Sequence, residues 1–166
     1  MIKDAVVEMF KTVFAGSFSD KEFTEKWEFD SPREQLKPLF YKGDGKIVIE
    51  GNGNPNVFGY WKFKVDVEGG KAYKYKVRFK TNGIEDLNLH VLNIINWRIK
   101  GMKPDECPYD QISNYYREGE YIIGEQSFET AKEVSEAEIQ LGARYIKNGS
   151  VSWFEVSLTG TEREKS

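Results

Sequence analysis

Hydrophobic residues recur at three- and four-residue intervals only at the start of the chain. There Ile2, Val6, Met9, Phe10, Val13 and Phe14 predict one amphipathic helix, over residues 1–16 and ended by Gly16. From Trp27 onward the period changes to two and turn residues punctuate it at short intervals, the pattern of an all-β sandwich or barrel. In YWKFKVDVEGGKAYKYKVRFKTNG, Trp61, Phe63, Val65 and Val67 share one face, opposite Tyr60, Lys62, Lys64, Asp66 and Glu68. After Gly69-Gly70, Tyr73, Tyr75, Val77 and Phe79 resume the apolar face while Lys74, Lys76, Arg78 and Lys80 alternate with them, so the stretch predicts an antiparallel hairpin. LNLHVLNIINWRI predicts a central strand over 87–99, because Leu92 and Ile94 make its second face partly apolar.

The last periodic stretch is AEIQLGARYIKNGSVSWFEVSL. Ala137, Ile139, Leu141, Ala143 and Tyr145 line one face, and Glu138, Gln140, Gly142 and Arg144 the other. Asn148-Gly149 predicts the turn of a closing hairpin, with Phe154, Val156 and Leu158 as core positions of its second strand. Val151 and Trp153 fall out of register with that trio, which predicts a bulge over Ser152–Phe154 that re-aims Trp153. Between the periodic stretches, KGMKPDECPYDQISNYYREGEYIIGE reads as a long loop leading into short strands, with Glu118, Glu120 and Glu125 on a solvated hairpin. GNGNPN lacks the Lys and Ser/Thr of a phosphate-binding loop and reads as a turn. The expected organisation is a helix or linker over 1–16, a β-sandwich over 17–160 and a polar tail over 161–166.

Composition narrows the function classes. The chain has 166 residues, which suits one domain, and 24 basic against 27 acidic residues give a net charge of −3. No basic field suits nucleic acid, and no apolar run is long enough to span a membrane. Cys107 is the single cysteine, so no internal disulfide forms. The chain reads as soluble and without an export signal, a pattern shared by a module cut from a longer secreted protein.

Three segments in order resemble the galactose-binding-like, jelly-roll kind of carbohydrate-binding module that is appended to glycan-degrading enzymes. GYWKFKVDVEGGKAYKYKVRFKT is similar to the family's strand, Gly-rich turn and Tyr-centred strand. AEIQLGARYIKNGSVSWFEVSL resembles its closing hairpin, and EKWEFD its opening strand. The resemblance spans about residues 25–160 and implies an all-β antiparallel sandwich with jelly-roll topology, here with one N-terminal α-helix. It implies non-catalytic binding of a poly- or oligosaccharide and a tethered catalytic domain as partner, in an extracellular setting. It also implies a structural calcium, for which Glu28, Asp30 and Glu155 are the candidate ligands; Glu155 stands alone where the family commonly has two adjacent acidic or amide residues.

Sugar binding in water needs flat aromatic faces for the C–H patches of the ring and planar polar groups for its hydroxyls. The candidates are Trp153 at the bulge, the outward-facing Tyr60, Arg78, Asn88, His90, Gln140 and Arg144, and the loop residues Tyr115 and Tyr116. Tyr109 belongs to the same loop, and Asp105, Asp110, Gln111 and Asn114 give it a composition suited to binding. The sheet holding 87–99 and 137–146 is the expected platform. Trp27, Trp61 and Trp97 have the parity of core residues. Catalysis has little to work with: His90 is the single histidine, no Gly-x-Ser-x-Gly elbow is present, and EFDSPR ends in Arg33 where some jelly-roll glycanases place a Glu. A carboxylate-based glycanase or lyase and a protein-docking sandwich stay open as alternatives.

Overall fold

A computed structural model of the protein describes residues 6–165, with side chains over 11–161. In chain order the strands are β1 (Val6–Ser17), β2 (Glu28–Asp30), β3 (Leu39–Gly43), β4 (Lys46–Glu50), β5 (Phe58–Asp66) and β6 (Ala72–Asn82). There follow β7 (Val91–Ile99), β8 (Tyr109–Gln111), β9 (Tyr115–Glu118), β10 (Tyr121–Glu129), β11 (Val134–Arg144) and β12 (Ser150–Lys165). Two short helices, α1 (Lys21–Glu25) and α2 (Leu87–His90), are each capped by an aspartate, Asp20 and Asp86.

The strands form two antiparallel sheets. A seven-stranded sheet runs β3-β4-β12-β6-β10-β9, with β1 paired to β12 beside it, and a five-stranded sheet runs β2-β5-β11-β7-β8. Trp61, Ile95, Trp97, Ile139 and Leu141 face Tyr75, Val77, Phe79, Trp153 and Leu158 across the shared core. Burying each aliphatic or Phe side chain contributes about 1.5–3 kcal/mol. The architecture is a jelly-roll β-sandwich, as the period-two pattern predicts. The three tryptophans assigned to the core, Trp27, Trp61 and Trp97, are all buried there.

The N-terminal helix is not formed. Val6–Ser17 is a strand that pairs with β12, and residues 1–5 of the expected helix lie outside the described residues. A register shift between Thr12 and Phe14 puts a bulge at Val13, and both Val13 and Phe14 pack against the core. A bulged strand brings neighbouring residues to the same face, which breaks the period of two and imitates helical spacing. At the other end β12 continues to Lys165, through most of the segment expected as a polar tail.

Both long predicted hairpins are instead arches. β5 and β6 lie in opposite sheets, as do β11 and β12, and neither pair is hydrogen-bonded edge to edge. Two strands facing one core across a sandwich carry the same alternation as two strands paired in one sheet, so periodicity cannot separate them. The connection after β11 has positive φ at Tyr145 (56°) and Lys147 (42°), not at Asn148 or Gly149. True hairpins occur at β3–β4 and at β9–β10, where Gly119 takes φ 63°.

The predicted bulge in β12 exists, with a register shift between Trp153 and Glu155. Its consequence is the reverse of the expectation. Val151 and Trp153 face the core before the bulge, Val156 and Leu158 after it, and Phe154 is the residue turned outward, edge-on to Tyr121 at 5.2 Å. Trp153 is fully buried and its Nε1 donates to Asn93 Oδ1 at 2.9 Å, so it has no face for a ligand.

Candidate functional site

The outer face of the five-stranded sheet is built around β11, its central strand. Residues directly opposite in antiparallel pairs share a face. Glu138 stands between Lys64 of β5 and Asn96 of β7, Gln140 between Lys62 and Ile94, and Gly142 between Tyr60 and Leu92. On the edge strand β8, Tyr109 is opposite Asn96. A Cβ at Gly142 would lie 3.1 Å from Tyr60 Cβ and 3.4 Å from Leu92 Cβ, so glycine keeps this part of the face low.

These side chains form an open cleft of about 310 Å³, with Tyr60 and Tyr109 at its margins and Arg98, Glu138 and Gln140 on its floor. Strand spacing of about 4.8 Å puts roughly 14 Å between the β5 and β8 axes, so the two phenol rings meet different parts of an extended ligand. Tyr109 is 65 % exposed, which leaves much of its ring open at the cleft margin. The floor is polar and organised. Arg98 Nη2 is ion-paired with Glu138 Oε2, and Gln140 Nε2 donates to the same oxygen at 3.0 Å. Tyr60 OH donates to Asp30 Oδ2 at 3.3 Å, and Lys62 Nζ reaches that oxygen at 3.3 Å.

Burial, reinforced by the Asp30 and Glu138 carboxylates, pushes the Tyr60 phenol up to about 12. Burial also pushes Tyr115 up to about 12, against the hydrogen bond it accepts from Asn93. Unfolded tyrosine ionises near 10, so the unfolded chain loses these protons first. The stabilisation they represent is complete below about pH 10 and disappears between about pH 10 and 12. The urea midpoint is therefore expected to fall through that window, with phenolate absorbance of the folded protein lagging behind that of free tyrosine.

The structure gathers two of the predicted site residues, Tyr60 and Gln140, into this cleft. Arg144 lies at the end of β11, where its Nε donates to the Leu89 carbonyl at 2.9 Å, and His90 Nδ1 donates to the Arg144 carbonyl at 3.2 Å. That pair fastens α2 to the sheet. Residues 87–90 are a helical turn rather than the start of a strand, because Asp86 caps it through Leu89 N, and Asn88 is exposed on that turn. Arg78 and Tyr116 stand on the other sheet: Arg78 Nη2 bonds Glu155 Oε1 at 3.0 Å and covers Tyr121, while Tyr116 OH donates to Glu125 at 3.4 Å. Tyr115 turns inward, donating to the Ile112 carbonyl and meeting Phe79 edge-on.

A depression of about 420 Å³ lies on that second sheet, between Lys76, Arg78, Glu118 and Glu155. Its cations are already matched, Lys76 with Glu125 and Arg78 with Glu155. The carboxylates considered for calcium are not brought together. Glu28 and Asp30 are on β2 and Glu155 is on β12 of the opposite sheet, with Asp30 held by Lys62 and Glu155 by Arg78. Among the described residues no group of three His, Cys, Asp or Glu is placed to hold a metal ion. The three do not fit one calcium site.

Sequence reasoning missed Asn96, Arg98 and Glu138, and weighed Tyr109 only as one of several loop tyrosines. The parity signal for them was present, since Asn96 and Arg98 alternate with Ile95, Trp97 and Ile99, and Glu138 with Ile139.

No family model and no curated protein matches the sequence. Solved structures do match the fold. The CBM22-1 xylan-binding domain of Paenibacillus barcinonensis Xyn10C superposes with a TM-score of 0.56 at 12 % identity, over 89 % of this chain and 93 % of that one. The fold is shared; the sequence is not. The Clostridium thermocellum xylanase 10B fragment of CBM22-1 and GH10 modules, complexed with xylohexaose, gives 0.56 at 14 % identity over 91 % of this chain and 28 % of that one. The enzymatically active domain of bacteriophage CBA120 tailspike protein 4 gives 0.52 at 12 % identity, over 91 % of this chain and 19 % of that one.

Proposed function

We propose that the protein binds a poly- or oligosaccharide in the cleft of the five-stranded sheet and performs no chemistry on it, holding an attached glycan-active enzyme near its polymer. The observation that carries this is the exposed Tyr109 beside a floor of Arg98, Glu138 and Gln140. An apolar ring face and fixed planar hydrogen-bonding groups are what a pyranose requires. The xylan-binding domain of like fold supports the reading. Glu138 accepts from both Arg98 and Gln140, which suits a fixed acceptor and not a proton donor to a leaving group. Targeting then works by effective concentration, since weak contacts of a tethered module keep the catalyst at the substrate.

Titration calorimetry against soluble xylan, mannan, galactan and β-glucan tests the reading. Saturable heat with one class is expected, and Tyr109→Ala is expected to weaken it by roughly tenfold, a stacking loss of about 1–1.5 kcal/mol, with no change in the urea midpoint. Absence of heat with every glycan, from folded protein, contradicts it. One observation favours a protein-docking reading: the edge strand β3 exposes Leu39 (52 %) and Tyr41 (47 %). A silent glycan panel would make that edge the surface to probe.

A further inference from the structure

One residue holds Tyr109 from both sides. The Pro108 carbonyl, just before it, accepts from Trp97 N at 2.8 Å, and the Asp110 carboxylate, just after it, accepts from Trp97 Nε1 at 2.8 Å. Neighbours on a strand leave it on opposite faces, so Tyr109 meets the cleft while Asp110, opposite the buried Ile95 of β7, turns toward the core. Trp97 is a firm anchor. It is 1 % exposed, its strand is paired on both edges, and its ring lies 5.6 Å from that of Tyr73. Alternation calls for an apolar residue at the core-facing position 110, but an apolar residue would leave the indole N–H without this acceptor. β8 needs the anchor, because it is an edge strand of three residues. Segments with few contacts are the first to open in a folded domain, and a bond to an ionised acceptor is stronger than one between neutral groups.

We propose that Asp110 is a positioning residue of the glycan site: by accepting from Trp97 Nε1 it pins β8 to the core and so fixes the Tyr109 ring at the cleft margin before a ligand arrives. This rests on the carbohydrate reading above and adds to it a residue that touches no sugar. The ring of Tyr109 is largely open, so its place depends on the backbone that carries it. A ring already in place loses little freedom when a sugar stacks on it, whereas a ring on a frayed strand must be ordered at the cost of affinity. Without the Asp110 bond the Pro108 carbonyl still meets Trp97 N, so the strand is expected to loosen rather than detach. Asparagine at 110 would keep an oxygen that accepts from the indole N–H; alanine would not.

The test is a double-mutant cycle, read by calorimetry with xylo-, manno-, cello- and galacto-oligosaccharides. Wild type is compared with Asp110→Ala, Asp110→Asn, Tyr109→Ala and Tyr109→Ala/Asp110→Ala, and near-ultraviolet circular dichroism and urea midpoints check that each is folded. Asp110→Ala is expected to lose roughly fivefold in affinity where Tyr109 is present and less than about twofold where Tyr109 is already alanine, because the two residues act through one contact. Asp110→Asn is expected to bind within about twofold of wild type. The urea midpoint should fall by the same amount on Asp110→Ala in both backgrounds, so the loss that depends on Tyr109 is in binding alone. If Asp110→Ala fails to fold, Trp97→Phe removes the same bond from its other end, and its own cycle with Tyr109→Ala is expected to give the same pattern. Folded Asp110→Ala binding like wild type, an equal loss with and without Tyr109, or Asp110→Asn binding as weakly as Asp110→Ala would overturn this inference and leave carbohydrate binding standing. Failure of every sugar to bind folded wild-type protein would overturn both.

Discussion

Trp153→Ala is expected to destabilise the fold by about 3–5 kcal/mol, the usual cost of removing a buried tryptophan. The indole is fully buried, so truncation leaves a cavity between the sheets. It also removes the Nε1 donor to Asn93 Oδ1, leaving a buried acceptor unpaired in a network that continues through Asn93 Nδ2 to Tyr115 OH. Domains of this size hold only about 5–15 kcal/mol in total, so the urea midpoint should fall by a large fraction. The folded molecules that remain should bind glycan with unchanged affinity, because the cleft lies on the far face of the other sheet. A stable variant that has lost binding would mean that Trp153 reaches the ligand after all.

Glu138→Ala is expected to damage stability and binding together. Its side chain is buried, and removing it leaves Arg98, itself only 20 % exposed, without its counter-ion. Breaking a buried pair costs about 3–5 kcal/mol, and the partial exposure of Arg98 puts this case near 3. Arg98 and Gln140 would then lose the oxygen that orients both, so glycan heat should vanish. The double variant Glu138→Leu/Arg98→Met removes both charges, and it is expected to recover most of the stability while recovering none of the binding. Recovery of binding in that double variant would show that the polar floor plays no part in recognition.

The period-two pattern made the sandwich legible, because alternation along β5, β6 and β11 reports burial of one face whatever strand lies beside it. The same fact hid the topology. β5 and β6 share a core without sharing a sheet, and only the hydrogen-bond ladder distinguishes an arch from a hairpin. At β1 the bulge beside Val13 erased the alternation and left helical spacing in its place. In β12 the bulge was visible, yet which side of it faced the core was not, and Trp153 and Phe154 exchanged places accordingly.

The candidate site was legible to a smaller degree. Tyr60 and Gln140 carry outward parity on strands that do become neighbours. Arg78 carries it equally well, but on the opposite sheet, where the loop candidate Tyr116 also falls. Parity gives a face, and sheet membership decides which residues share it. Tyr109 reaches the cleft because β8 pairs with β7, and at three residues β8 is too short a strand to announce itself by period.

Amide chemical-shift mapping of nitrogen-labelled protein, titrated with the oligosaccharide that gives the strongest heat, tests the central claim most directly. The account predicts that shifting amides cluster on β5, β7, β8 and β11, around Tyr60, Asn96, Tyr109 and Gln140. A cluster on the seven-stranded sheet around Arg78 and Tyr116, or along β3, would contradict it.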